Sequence, residues 1–411
     1  MTAQIILNNQ LGVAIASDTM ATSGSKTLPV VSKIIALPDP HRVAVLISNM
    51  VFIGPAHARL LVTEWAKSLS KAFDSISEYS ADFSLWVGRN AGRFGLDDLT
   101  MIASCVRTEL VELLQAGDTG SARFQPAFEA AAKDGSIDPT VFEGEAVKIV
   151  DAYCNGKFKE DQFSDLDGAK VQQLISGSGF NPDDEIATFI EQGLGLKPAD
   201  VPGLAKRLEP FIEELLRRWV PSASLTYLNF AGSGVEEFFP GHVQLAIRSV
   251  YGGSVRAQVT GNIPKVPNEI YPWVLMAQQD AMADLLRGAS SERRATFLDM
   301  ALDLIDANED LQEDFKFKFG QDLVTKIEQY FNEHFEQPQV STIEGLSVPS
   351  LVTYAEMLVK IQSLRSATQF GPTSVGGMVE CLAISRDRGV EWRRQLSNTD
   401  DRQRSDSSVL G

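Results

Sequence analysis

"MTAQIILNNQLGVAIASDTMATSGSKTL" spans residues 1–28, and its two apolar segments decide how the rest of the chain is read. Residues 3–8 are short and apolar, with Ile5, Ile6 and Leu7 in succession. Asn8-Asn9-Gln10 has turn chemistry. Residues 11–17 then alternate Leu11, Val13 and Ile15 with the small residues Gly12, Ala14 and Ala16. Period-two alternation predicts a half-buried strand, and small residues on one face let a second layer approach closely. The pair predicts a hairpin that brings Thr2 and Asp18 to the same end of a sheet. Pairing Leu7 with Leu11 sets Thr2 near residues 16–18.

Working outward, residues 33–37 and 42–48 predict two more strands, split by Pro38-Asp39-Pro40. Residues 55–73 and 97–115 carry apolar positions at helical spacing. From residue 116 to about 221, Gly, Asp, Ser and Lys are frequent, with helical patterns at 145–153 and 204–219. We read 116–221 as a mainly helical insertion, because structureless loops of that length are rare inside compact domains. Strands return at 224–231, 241–250 and 254–260, with Gly252-Gly253 as a hairpin turn. Helices are expected at 272–287, 291–308, 317–335 and 349–368, and two last strands at 377–385 and 389–393. The polar tail, 397–411, is expected to be disordered. Strands at both ends and two separated helical blocks predict an α+β fold. Two packed antiparallel sheets with a helical layer outside each satisfy that order. The main domain would comprise 1–115 and 222–396.

Composition bounds the chemistry. The 411 residues are 44% hydrophobic and 22% charged, as in a globular protein with a sizeable core. The net charge of −17 argues against nucleic acid as a partner. Cys105, Cys154 and Cys381 are widely spaced, and so are His41, His57, His242 and His334. Neither a disulfide framework nor a metal site follows from such spacing, and no cofactor is expected. No apolar run reaches the roughly 18 residues of a membrane span, and no basic segment precedes an apolar one at the start. A cytoplasmic protein is expected.

Thr2 has a chemical reading of its own. Aminopeptidases remove an initiator Met before a small residue, which would leave Thr2 with a free α-amine beside its hydroxyl. A threonine hydroxyl needs a base, and that amine can serve. Its reference pKa of roughly 7.7–8.0 leaves about a tenth neutral at pH 7. A nearby cation favours the neutral amine and stabilises developing alkoxide. Lys33 can supply the charge and Asp18 can hold it.

The stretch resembles the β-type subunits of the proteasome and its bacterial relatives, which are N-terminal nucleophile (Ntn) hydrolases. The resemblance lies in an N-terminal Thr, a hairpin, "GVAIASDTMATSG", the Lys of "VSKIIAL" and then "RVAVLIS". "SVGGMVECLAISRDRGVEW" resembles the family's closing Gly-Gly hairpin, and "NFAGSGVEEFFPGHVQLAI" its central strand pair. The likeness covers about half of the chain in three blocks. It implies a four-layer αββα sandwich with helical insertions and Thr2 as nucleophile. Asp18 lies at the family's spacing and Lys33 one residue short of it. It also implies peptide or protein substrates and assembly into homo-oligomers.

The sequence departs from the pattern near the nucleophile. Where the family offers a Gly for the oxyanion hole, Ser48-Asn49 stands, so the backbone N–H of Asn49 takes that place. The family's Ser beside the nucleophile falls near Gly261-Asn262, and Asn262 can donate but cannot relay a proton as a hydroxyl does. Before the closing Gly pair, Pro372 and Val375 replace the family's Asp and Ser, with Thr373 and Ser374 as the nearest hydroxyls. Two functions follow as expectations: a threonine-type amide-bond hydrolase, or a non-catalytic relative kept for assembly or binding. "GSGVEE" at 232–237 lacks the third Gly of a dinucleotide fingerprint and reads as a turn.

Overall fold

The computed structural model describes residues 2–23, 26–28, 31–115, 122–133, 136–158, 162–222, 224–307, 312–368 and 375–396. Ten strands form two antiparallel five-stranded sheets. In chain order they are β1 (Ala3–Asn9), β2 (Gly12–Asp18), β3 (Ile34–Ala36), β4 (Arg42–Asn49), β5 (Thr226–Ser233), β6 (Gly241–Tyr251), β7 (Ser254–Asn262), β8 (Trp273–Ala277), β9 (Val379–Ser385) and β10 (Gly389–Arg394). The first sheet has the order β8-β1-β2-β9-β10 and the second β7-β6-β5-β4-β3.

The opening hairpin turns later than the sequence suggests. Asn8 and Asn9 remain in β1, Asn9 pairs with Gly12, and the turn is Gln10-Leu11. The Asn9 side chain explains the difference: its Oδ1 accepts the N–H of Leu11 at 2.9 Å and its Nδ2 donates to Leu346 O at 2.7 Å. An asparagine so fixed caps a two-residue turn. The register is therefore Leu7 opposite Ala14 rather than Leu11, which carries Gln4 opposite Ser17 and leaves Thr2 just beyond the end of the ladder.

Both faces of the first sheet are covered. Ile6, Val13 and Ile15 point to one side, where they meet Ala44 and Leu46 of β4 and Ala231 of β5. Ala3, Ile5, Ala14 and Ala16 point to the other, packing with α13 (Val348–Thr368) through Leu351, Val352, Ala355 and Val359. The small face of β2 thus admits a helix. At Gly12 a Cβ would stand 2.4 Å from Ile384 O, so the strand tolerates no side chain there. The second sheet turns Val43, Val45, Leu228 and Phe230 towards Trp65 of α1 (Ala58–Ser68) and Phe83 of α2 (Ile76–Asn90). Helix α2 fills a stretch between the expected helices at 55–73 and 97–115. Its buried Tyr79, Phe83 and Val87 supply the reason.

The region 116–221 contributes α4 (Gln125–Ala131), α5 (Pro139–Lys157), α6 (Gly168–Ser178), α7 (Pro182–Thr188) and α8 (Pro202–Arg217). Their apolar cluster draws in Ile102, Val106, Leu110 and Leu113 of α3 (Asp98–Leu114), so α3 belongs to this core as much as to the sheets. Further along come α9 (Asp280–Arg287), α10 (Ser291–Asp306), α11 (Glu313–Phe331) and α12 (Gln337–Gly345). One expected helix starts as a strand: residues 273–277 form β8, pairing with β1 from Ala3–Ala277 to Leu7–Trp273. Pairing along the open edge of β1 overrides an apolar pattern that periodicity alone cannot assign. Ser374 and the tail 397–411 lie outside the described residues.

Candidate active site

The site forms where β1 starts, β2 ends and the chain enters β3. Thr2 is 5% exposed, Asp18 0% and Lys33 4%. Asp18 is the last residue of β2, paired with Val379 of β9 and one residue past the ladder to β1, which ends at Ser17. Its Oδ1 accepts three donors: the Thr2 hydroxyl at 2.5 Å, the Ala3 backbone N–H at 2.9 Å and the Lys33 ammonium at 2.7 Å. Its Oδ2 accepts the backbone N–H of Gly376 at 3.1 Å.

Lys33 uses all three ammonium protons. It donates to Thr2 Oγ1, to Asp18 Oδ1 and to the carbonyl of Met20. Its own carbonyl accepts the N–H of Ile47, which anchors it to β4. Burial pulls the Lys33 pKa below its ordinary value, while the negative charges of Asp18 and Glu380 pull it back up. A less basic ammonium in contact with a hydroxyl oxygen is what stabilisation of an alkoxide calls for.

Backbone contacts fix Thr2 from the other side. Its carbonyl accepts the Gln278 N–H at 2.8 Å, just past β8. Ala277, one residue earlier, has φ 60°, a left-handed conformation that an alanine adopts at a cost of roughly 1–2 kcal/mol.

Asn49 ends β4, and its φ is 62°. The left-handed region favours glycine, and asparagine is among the residues that tolerate it best. The backbone at this position therefore keeps a glycine-like shape although the residue is not glycine. The Asn49 amide donates to Leu225 O at 2.7 Å.

Asn262 stands elsewhere, which corrects its expected place beside Thr2. It ends β7, at the sheet edge opposite β3, and pairs with His242. Its side chain bonds Glu269 O at 3.0 Å and the Tyr271 N–H at 3.3 Å, so it fastens a local loop. Tyr271, which Asn262 contacts, also accepts a hydrogen bond from Asn8, at the end of β1 away from Thr2. Thr373 and Ser374 lie outside the described residues.

Glu380 is a neighbour the sequence reading missed. It is fully buried on β9 opposite Ser17, its Oε1 accepts the Leu396 N–H at 3.0 Å, and its Oε2 has no hydrogen-bond partner among the described residues. Its charge acts on Lys33 and on Arg59, which donates to the carbonyls of Ser32 and Ile34 on either side of Lys33. The available signal was one acid inside the apolar run "MVECLAIS". Among the described residues no group of three His, Cys, Asp or Glu could hold a metal ion, and no helix is long and apolar enough to cross a membrane.

No family model matches the sequence, and no curated protein matches it. Among solved structures, Anbu (Gly-1 mutant) from Hyphomicrobium sp. strain MC1 is 10% identical, with 100% of this chain and 98% of that chain covered and a TM-score of 0.32. Anbu (ancestral beta-subunit) from Yersinia bercovieri is 8% identical, with 99% and 96% covered and a TM-score of 0.28. Likeness at those TM-scores carries no argument about this chain.

Proposed function

We propose that this chain is a threonine-type Ntn hydrolase that cleaves amide bonds in peptides or proteins, with Thr2 as nucleophile once Met1 is removed. The observation that carries the reading is the shared contact of the Lys33 ammonium with Thr2 Oγ1 and Asp18 Oδ1 in a nearly closed site.

In this reading the Thr2 hydroxyl proton passes to the freed α-amine as Oγ1 bonds to the substrate carbonyl carbon. Lys33 stabilises negative charge on Oγ1, and Asp18 holds Lys33 in place. The Asn49 backbone N–H faces the oxyanion. The protonated α-amine of Thr2 then gives that proton to the leaving amine as the C–N bond breaks, and water hydrolyses the ester to free Thr2. The two sheets and their helices are read as the αββα layering of this hydrolase class. Homo-oligomeric assembly in the cytoplasm belongs to the same proposal.

A second reading has one observation in its favour. Thr2 is buried and its hydroxyl already donates to Asp18, so the cluster also serves as a structural knot in a non-catalytic protein. Intact mass and probe labelling separate the two. The hydrolase requires a mass lacking one methionine and an electrophilic threonine-directed probe attached to Thr2. Retained Met1, or labelling that persists in Thr2→Ala, rejects it.

A further inference from the structure

A second polar cavity, of about 190 Å³, lies between α3, the segment that joins α8 to β5, the end of β6 and residues 50–54 just past β4. Two charged side chains line it, Glu109 at 1% and Arg248 at 4% side-chain exposure. Each is anchored through one atom and leaves another unmatched. Glu109 Oε1 accepts the Tyr153 hydroxyl at 2.6 Å and lies 3.2 Å from the Lys157 ammonium. Arg248 NH1 donates to Leu215 O at 2.8 Å and to Arg218 O at 3.3 Å. Glu109 Oε2 and Arg248 NH2 have no hydrogen-bond partner among the described residues, and they stand 3.8 Å apart, beyond hydrogen-bond reach.

Glu109 and Arg248 face each other as opposite charges, yet each keeps one buried polar atom without a hydrogen bond, which is costly. Here the insertion supplies the anchors, Tyr153, Leu215 and Arg218, that hold both charges open towards a cavity. Hydroxyls of Ser104 and Thr108 continue the wall, and exposed Ser104 and Phe52 mark the rim. The volume equals the liquid share of about six waters, room for a small organic molecule. A simple anion would meet Glu109, a simple cation would meet Arg248, and an apolar molecule would leave both unmatched. A molecule with a carboxylate and an ammonium on one carbon matches both through charge-assisted bonds.

We propose that this cavity binds a small free α-amino acid, its carboxylate on Arg248 and its ammonium on Glu109. Thr2, Asp18 and Lys33 are not among its lining residues, and the proposal does not depend on hydrolase activity. The test is calorimetric titration of the full chain with glycine, L-alanine and L-serine, with acetate and methylammonium as half-ligands. Saturable binding of at least one amino acid is expected, at least tenfold tighter than either half-ligand. Ser104→Phe, at the exposed rim, should weaken it at least tenfold by filling the mouth. Glu109→Gln should also weaken it at least tenfold. No saturable binding, acetate binding as tightly as the amino acids, or unchanged affinity in Ser104→Phe overturns the proposal. A crystal grown with the amino acid and showing only water between Glu109 and Arg248 does so too.

Discussion

Lys33 and Asp18 form an ion pair 2.7 Å long whose side chains are 5% and 0% exposed. A pair so far from water holds because every lone pair and proton has a second partner, in Ala3, Gly376, Met20 or Thr2. Removing one charge leaves the other stranded. Lys33→Met should therefore lower unfolding free energy by about 3–5 kcal/mol. Adding Asp18→Asn should restore part of it, so that urea denaturation of the double variant shows less than the sum of the single losses.

Thr2 contributes one hydrogen bond to that network. Thr2→Ala should cost about 1 kcal/mol of stability yet abolish probe labelling, whereas Thr2→Ser should keep labelling. A Thr2→Ala variant that unfolds as readily as Lys33→Met would mark the hydroxyl as structural.

Glu380 raises the Lys33 pKa, opposing burial. Glu380→Gln should therefore let Lys33 lose its proton at lower pH. The alkaline fall in Thr2 labelling should move to lower pH, with the neutral-pH rate changed less. A labelling profile that keeps its alkaline limb in place contradicts a role for Glu380 in tuning Lys33.

Ala277 stores backbone strain beside Thr2, at φ 60°. Ala277→Gly removes the Cβ clash and adds freedom to the unfolded chain, effects of opposite sign. The net expectation is a gain of up to about 1 kcal/mol, read as a raised midpoint in chemical denaturation.

His242 has its pKa pushed down to about 4 by burial. In the unfolded chain the ordinary value is roughly 6.5. Between those values the unfolded chain binds a proton that the folded chain refuses. Stability should thus decline as pH falls through that window, by on the order of 3 kcal/mol in all. His242→Gln should flatten the difference between denaturation curves at pH 7 and pH 5.

The opening hairpin was legible because alternating residues and turn chemistry act locally. Its register was not, since the Asn9 side chain reaches Leu346, far away in the sequence. Residues 273–277 were misread because a five-residue apolar run fits strand or helix, and only β1 decides between them. Asp18 and Lys33 stood out through spacing in a resembling pattern. Asn262 was misplaced because sequence offers no measure of which sheet edge a strand occupies. Glu380 escaped notice because one acid in an apolar strand looks like surface until the second flank is known to be covered.

Gly376 donates to Asp18, and β9 flanks β2 on the side away from β1. The parts that steady Asp18 are thus 358 residues apart in the chain. During synthesis, β1 and β2 emerge first and wait with one edge unpaired until residues 375–385 leave the ribosome. A nascent chain lacks this support until residue 376 has been made and folded back, so any cutting capacity that rests on Asp18 would arise only after that point.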